Sequence, residues 1–266
     1  MFITHRAVNS VEYVTSDIIK SRHAFSTRVG GVSTHAHTSA LNLAFKRGDE
    51  DEVVIENLKR FGDAVGFDPK SVVSLPQIHS ADVIEVDVSM RGEGYFKPPH
   101  TSCDGYVTSK KGIVLGVKTA DCVPIILEAE DEDGNIIAVS AIHAGWRGTA
   151  AEIAAEGVKK LVDKGADLKR IRAAIGPSID YCCFEVGEDF AASVAEISTK
   201  EWKLFSRDGK LYADLKAHNR SALLDCGLLK QNIDLCDDCT CCRADKYYSH
   251  RRMKGVRGTM LSVVFM

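Results

Sequence analysis

The chain has 266 residues, of which 45 % are hydrophobic and 27 % charged, and its net charge is −3. These are globular values, which exclude a disordered chain and leave no basic face for a nucleic acid. The longest apolar runs are strand-length, well short of the roughly 18 residues a membrane-spanning helix needs.

Residues 51–66 carry the first helical period, with Val54, Leu58, Phe61 and Val65 on one face and Pro69 beyond the end. Short β-rich runs follow at 72–75, 82–86, 106–108, 113–118, 123–127 and 136–142, the last two joined by a turn at Asp133-Gly134. A second helix is expected from Thr149, where Thr149 and Glu152 read as a capping box ahead of Ala154, Val158, Leu161 and Val162. A strand at 171–175 stops at Gly176-Pro177. A helix from about Glu188 carries Phe190, Val194 and Ile197, another runs from Asp214 to Gly227, and a strand at 259–266 closes the chain. Strands and helices come in runs without strict alternation. The expectation is one α+β domain over residues 1–266, a mixed β-sheet sandwich flanked by helices. Neither a dinucleotide fingerprint nor a Walker loop is present.

Residues 1–6 lack the basic-then-apolar pattern of a secretory signal, so a cytoplasmic protein is expected. Its nine cysteines, an odd number, then read as thiols or metal ligands. A chain this long buries about three-quarters of its unfolded surface, so it needs no cross-link to hold a core. Cys236-Asp-Asp-Cys239-Thr-Cys241-Cys242 contains C-x-x-C spacing, but neither a separate C-x-x-C elsewhere in the chain nor a His pair completes it, so it reads as clustered surface thiols. Cys182-Cys183 reads as core, and His35-Ala-His37 as an exposed loop pair.

Reactive residues gather at strand ends in three strings: 75–80 with His79, 118–124 with Cys122, and 140–148 with His143. Two imidazoles and a thiolate suit zinc or copper, and three protein ligands leave a fourth position for water or substrate, as in catalytic zinc sites. Taken singly, a buried Cys or His is ordinarily structural, and these positions are scattered, unlike a zinc finger or an H-E-x-x-H helix. Asp104 and Asp121 are the nearest carboxylates in sequence. Either carries protons or orients a ligand His. Arg147, between Gly145 and Gly148 and ahead of a helix, suits a phosphate on physical grounds and suits a structural ion pair equally well.

The strings His143-Ala-Gly-Trp-Arg-Gly148, Thr119-Ala-Asp-Cys-Val-Pro124 and Gln77-Ile-His79 resemble those of the laccase-domain, or multicopper polyphenol oxidase, family. So do residues 26–33, 40–43, 174–179, 184–187 and 248–252 with Arg257. The resemblance covers nearly the whole chain, with two departures: Leu58 follows Glu56-Asn57 where many relatives carry Arg, and the first aromatic before Ser249-His250-Arg251-Arg252 is Tyr. It implies His79, Cys122 and His143 as metal ligands and catalytic centre, with zinc as the metal and copper as the alternative. It implies substrate-facing roles for Arg28, Asn42, Arg147 and Arg257. Members are described as purine nucleoside phosphorylases with adenosine deaminase activity. The implied partners are therefore adenosine, inosine or S-methyl-5′-thioadenosine and phosphate, with no nucleic acid or membrane, in a monomer or homodimer. The alternatives are a cysteine or metal hydrolase editing cell-wall precursors, and a copper polyphenol oxidase. Nine His with one H-x-H pair are too few for a multicopper cluster.

Overall fold

The structure, a computed structural model, describes residues 1–198 and 200–266. Strands β1 (Phe2–Arg6), β2 (Glu12–Ser16) and β3 (Arg22–Ser26) precede helix α1 (Asp51–Val65). Then come β4 (Val72–Val73), β5 (Val83–Glu85), β6 (Gly105–Thr108), β7 (Val114–Thr119), β8 (Val123–Glu130) and β9 (Ile136–Ala144), followed by α2 (Trp146–Ala150) and α3 (Ile153–Val162). The chain continues through β10 (Ile171–Ile175), β11 (Glu185–Val186), α4 (Phe190–Ala195), β12 (Leu204–Arg207), β13 (Lys210–Ala213), α5 (Leu215–Asp225), β14 (Ile233–Leu235) and β15 (Met260–Phe265).

Two six-stranded sheets form the centre, in the orders β1-β2-β3-β15-β7-β4 and β14-β10-β8-β9-β6-β5, with a small β11-β13-β12 sheet beside them. Each large sheet is mostly antiparallel with parallel edge strands: β4 on β7 in the first, β5 on β6 and β14 on β10 in the second. The fold is therefore mixed α+β, as the runs of elements in the sequence predict.

Side-chain alternation explains the layering. All eight residues of β8 are buried. Ile126 packs between the sheets with Phe25, Leu115, Val117 and Val139, whereas Ile125, Leu127 and Ala129 face Ala154, Val158, Leu161 and Leu223 of α3 and α5. A strand covered on both faces must be apolar at every position that lacks a partner. On the far side Val54, Leu58 and Phe61 of α1 pack on Val114, Leu261 and Val263. The order is helix, sheet, sheet, helix. Leu58 is fully buried in this outer core.

Two local expectations are corrected. The second helix begins at Trp146 and breaks at Glu152, which takes φ 59° before α3 starts. The Thr149/Glu152 capping box does not form, because the Thr149 hydroxyl accepts from Asn219 Nδ2 at 2.9 Å and Glu152 makes no capping bond. The helix from Glu188 is shorter than its period suggests, Phe190–Ala195, and Ile197 lies exposed beyond it. Asp214 caps α5 as expected, accepting from the Ala217 N–H at 2.8 Å, and Gly227 follows the helix at φ 97°. Among the described residues no helix is long and apolar enough to cross a membrane.

A candidate metal centre at the end of the sandwich

Cys122 sits where the chain leaves the first sheet at the end of β7 and enters the second as β8. The switch is made at Asp121, a non-glycine residue at φ 92°. Three donors hold the Asp121 carboxylate there: Thr240 Oγ1 at 2.7 Å, Ser249 Oγ at 3.1 Å and the Arg251 N–H at 2.6 Å. Such a backbone persists only where its surroundings over-determine it. His143 lies near the end of β9 and pairs in register with Pro124 of β8, so sheet hydrogen bonding alone brings it beside Cys122. His79 comes from the loop between β4 and β5. Gln77 ties that loop to β7, donating to the Lys118 carbonyl at 2.8 Å and accepting the Lys118 N–H at 2.7 Å. One ligand atom from each of His79, Cys122 and His143 lies within 4.8 Å of the others.

Asp104, fully buried just before β6, organises this group. Its carboxylate accepts the N–H groups of Ile78, His79 and Ser80 at 3.1, 3.0 and 2.7 Å, the Ser80 hydroxyl at 2.9 Å, and His143 Nδ1 at 2.8 Å. Burial alone would raise its pKa. The donors from His143 and Ser80 outweigh it and hold the acid at about 2. With Nδ1 committed to Asp104, His143 turns Nε2 toward Cys122, the carboxylate–histidine arrangement that orients metal-bound imidazoles. Burial disfavours the His143 imidazolium, but the Cys122 thiol and Asp104 together raise its pKa to about 9. His79 is shifted the other way, by desolvation of its ring and by the charges of His143 and Arg147, which keeps it neutral and ready to bind a metal. The site holds donors on three sides and is open on the fourth, and the donor set fits zinc.

The Ala144-Gly145-Trp146 turn has a steric reason. A Cβ at Gly145 would stand 2.3 Å from His79 Nδ1. Gly145→Ala is therefore expected to displace His79, which is exposed and free to swing out. Metal retention at this centre should fall sharply while the unfolding midpoint changes little. Metal analysis and thermal unfolding of the same preparation check this, and full occupancy in the variant would contradict the contact.

Two cavities meet at the trio. One, of about 210 Å³, is lined by His79, Cys122 and His143 together with Gln77, Arg47, Lys118 and Arg257. No carboxylate is among its lining residues. Lys118 is pushed down to about 8 by burial and then by Arg47, and Arg257 to about 10 by the same two causes. Arg257 Nε is buried without a partner. The second cavity, of about 310 Å³, shares His79, Ala120, Cys122 and Arg257 but is walled by Ile179, Phe184, His250 and Arg251.

The other expected substrate residues fall in different places. Arg28 Nε and Nη2 donate to the Ser39 carbonyl, and its Nη1 donates to that of Ala244. Asn42 is fully buried. Its amide donates to Asp49 and the Ala44 carbonyl and accepts the Thr259 N–H. Both brace loops around the site, and neither lines the two cavities. Arg147 is exposed, stacked 4.1 Å over the Trp146 ring. His35 and His37 stack on each other, and His37 Nε2 holds the Arg47 carbonyl at 2.9 Å. Arg47 goes unread in the sequence, and Lys118 and His250 stand there only as members of longer strings; the fold puts Arg47 and Lys118 on the first cavity and His250 on the second. They sit in separate segments, and only the folded chain aligns them.

The family described as multi-copper polyphenol oxidoreductase laccase matches residues 22–266. Over 242 residues the chain is 37 % identical to a purine nucleoside phosphorylase of Deinococcus radiodurans, covering 91 % of this chain and 88 % of that one. It is 35 % identical over 240 residues to adenosine deaminase RL5 of an unknown prokaryotic organism, covering 88 % and 90 %. Among solved structures, YlmD from Geobacillus stearothermophilus aligns with a TM-score of 0.87 at 29 % identity, covering 100 % of this chain and 99 % of that one.

Proposed function

Because the chain belongs to the multi-copper polyphenol oxidoreductase laccase family, we propose that it is a metal-dependent purine nucleoside phosphorylase, acting on adenosine, inosine and S-methyl-5′-thioadenosine. The observation that carries this reading is the pair of cavities joined at His79 and Cys122, one cationic and the other walled by Phe184 and Ile179. A phosphate suits the first and a purine face the second. Ribose would then bridge them beside the trio.

Phosphorolysis forms a bond from a phosphate oxygen to the anomeric carbon of the ribose as the bond to the purine nitrogen breaks, and the departing base takes a proton. Arg47, Lys118 and Arg257 would hold the phosphate, with Arg147 approaching from outside. Phe184 would flank the base, with the Arg251 guanidinium, which lines the same cavity, 5.5 Å from its ring centroid. His250 is the imidazole on the purine side that lies outside the ligand trio, which makes it the proton donor of choice. Zinc held by His79, Cys122 and His143 would supply Lewis-acid polarisation of a substrate oxygen. Deamination of adenosine is a second reading, favoured by the relative named adenosine deaminase RL5. Its readout is inosine. Two imidazoles and one thiol are too few for a multicopper centre, which weighs against phenol oxidation.

The test is the phosphate dependence. Lys118 carries its charge below about pH 8 and loses it above. The KM for phosphate dianion is therefore expected to be flat below pH 7 and to climb as pH rises through 8. Lys118→Met should raise that KM roughly tenfold to a hundredfold at pH 7, the worth of about 1.5–3 kcal/mol for a bond to a charged group, and should flatten the climb. Arg147→Ala should raise it less. A Lys118→Met effect confined to the adenosine KM would remove the phosphate from the cationic cavity.

A further inference from the structure

The C-x-x-C formed by Cys239 and Cys242, incomplete in sequence, is completed in space by Cys182-Cys183. Strands β10 and β14 are parallel neighbours, so the loops that follow them leave the sheet at the same end. Ser178 and Cys239 pair as an isolated bridge, with the Thr240 N–H on the Ser178 carbonyl at 3.0 Å. Four sulfurs converge there, those of Cys182, Cys183, Cys239 and Cys242, all within 4.8 Å of one another. The Sγ separations are 3.7 Å for Cys182–Cys183, 3.6 Å for Cys182–Cys242 and 3.4 Å for Cys183–Cys242. A tetrahedron with zinc–sulfur bonds of about 2.3 Å has edges of about 3.8 Å, close to this spacing.

We propose that Cys182, Cys183, Cys239 and Cys242 form a second metal site, a closed four-thiolate zinc centre with a structural role. Loading it forms four zinc–sulfur bonds and releases four thiol protons, with no change of oxidation state. The product carries two negative charges, and cations are at hand. Arg251 donates to the Cys183 carbonyl at 3.2 Å, and Arg252 donates to that of Cys241. With all four positions taken by protein sulfur, this zinc leaves no room for substrate. Its effect on the active end is mechanical. Cys183 precedes Phe184, a wall of the second cavity, and Thr240 hydrogen-bonds Asp121 beside Cys122. The centre would clamp both loops against the turn that carries Cys122.

The test is metal analysis of the full chain purified without added metal, joined to zinc X-ray absorption. The expected content is two zinc per chain, falling to one in Cys239→Ser/Cys242→Ser and to one in His143→Ala. Because the cysteine variant can fail to fold, the deciding spectrum is that of His143→Ala. Its remaining zinc should show sulfur neighbours only. The proposal is overturned if that protein holds no zinc, or holds it in a nitrogen-containing shell. It is equally overturned if intact mass shows these cysteines joined in disulfides, or if all four react freely with a thiol reagent in the native protein. The His79–Cys122–His143 centre is read separately, by the metal content of the Cys239→Ser/Cys242→Ser protein and by the activity assays.

Discussion

Alanine at His143 is expected to lower purine release from adenosine by about a thousandfold or more and to empty the trio of its metal. The size follows from two losses. A metal acting as Lewis acid stabilises transition-state charge by several kcal/mol, and each ~1.4 kcal/mol is a factor of ten in rate. His143 is also the only one of the three ligands hydrogen-bonded through its side chain to Asp104, at 2.8 Å, so its ring is the fixed point of the site. Cys122→Ala should match it in both readouts. Folding should survive, because in His143→Ala the Asp104 carboxylate keeps its bonds to the backbone of Ile78, His79 and Ser80. Near-normal activity in a metal-free His143→Ala protein would remove the metal from the chemistry.

Asp104→Asn is expected to act on both stability and metal binding. The amide keeps the shape but replaces one acceptor oxygen with a donor, facing a ring of five donor groups that the carboxylate now satisfies. Breaking a buried, charge-assisted network of this kind costs about 3–5 kcal/mol. Metal affinity should fall about 10- to 100-fold as His143 loses its orienting partner. The pH dependence has a definite sign. The folded pKa of Asp104 is depressed to about 2 from the ordinary carboxylate value. Its stabilisation is thus present above about pH 4 and is lost as pH falls toward 2, amounting to about 2 kcal/mol at roughly 1.4 kcal/mol per pKa unit. Metal-free wild type should lose that increment on acidification, and metal-free Asp104→Asn should not. Equal acid sensitivity in the two proteins would contradict the network.

Much of the site is legible in the sequence because its chemistry lies at strand ends. His79, Cys122 and His143 stand out as polar residues interrupting apolar runs, whereas the close approach of Gly145 to His79 shows only in the fold. The sequence leaves the role of Asp104 open between proton carrier and orienter. Its five hydrogen bonds, one of them to His143, mark it as the orienter. Lys118 reads as the end of a strand, and only its place on the cationic cavity beside Arg257 gives it chemistry. The same holds for the cysteines, since a C-x-x-C cannot announce partners contributed by a neighbouring parallel strand. Strands β1 to β3 go unread because they are short and rich in polar residues. Yet Val14 of β2 and Ala24 and Phe25 of β3 are buried in the core on the two faces of the first sheet. The break at Glu152 is invisible to periodicity, since the apolar spacing runs on into α3 while the backbone turns left-handed for one residue.

The role proposed for the metal centre is a phosphate-dependent cleavage of purine nucleosides. It is tested most directly by incubating the purified protein with adenosine, with and without phosphate, and following the sugar product by phosphorus NMR alongside adenine release. The expected products are adenine and ribose 1-phosphate in equal amounts, formed only with phosphate present and lost in His143→Ala. Free ribose released at the same rate without phosphate would contradict it.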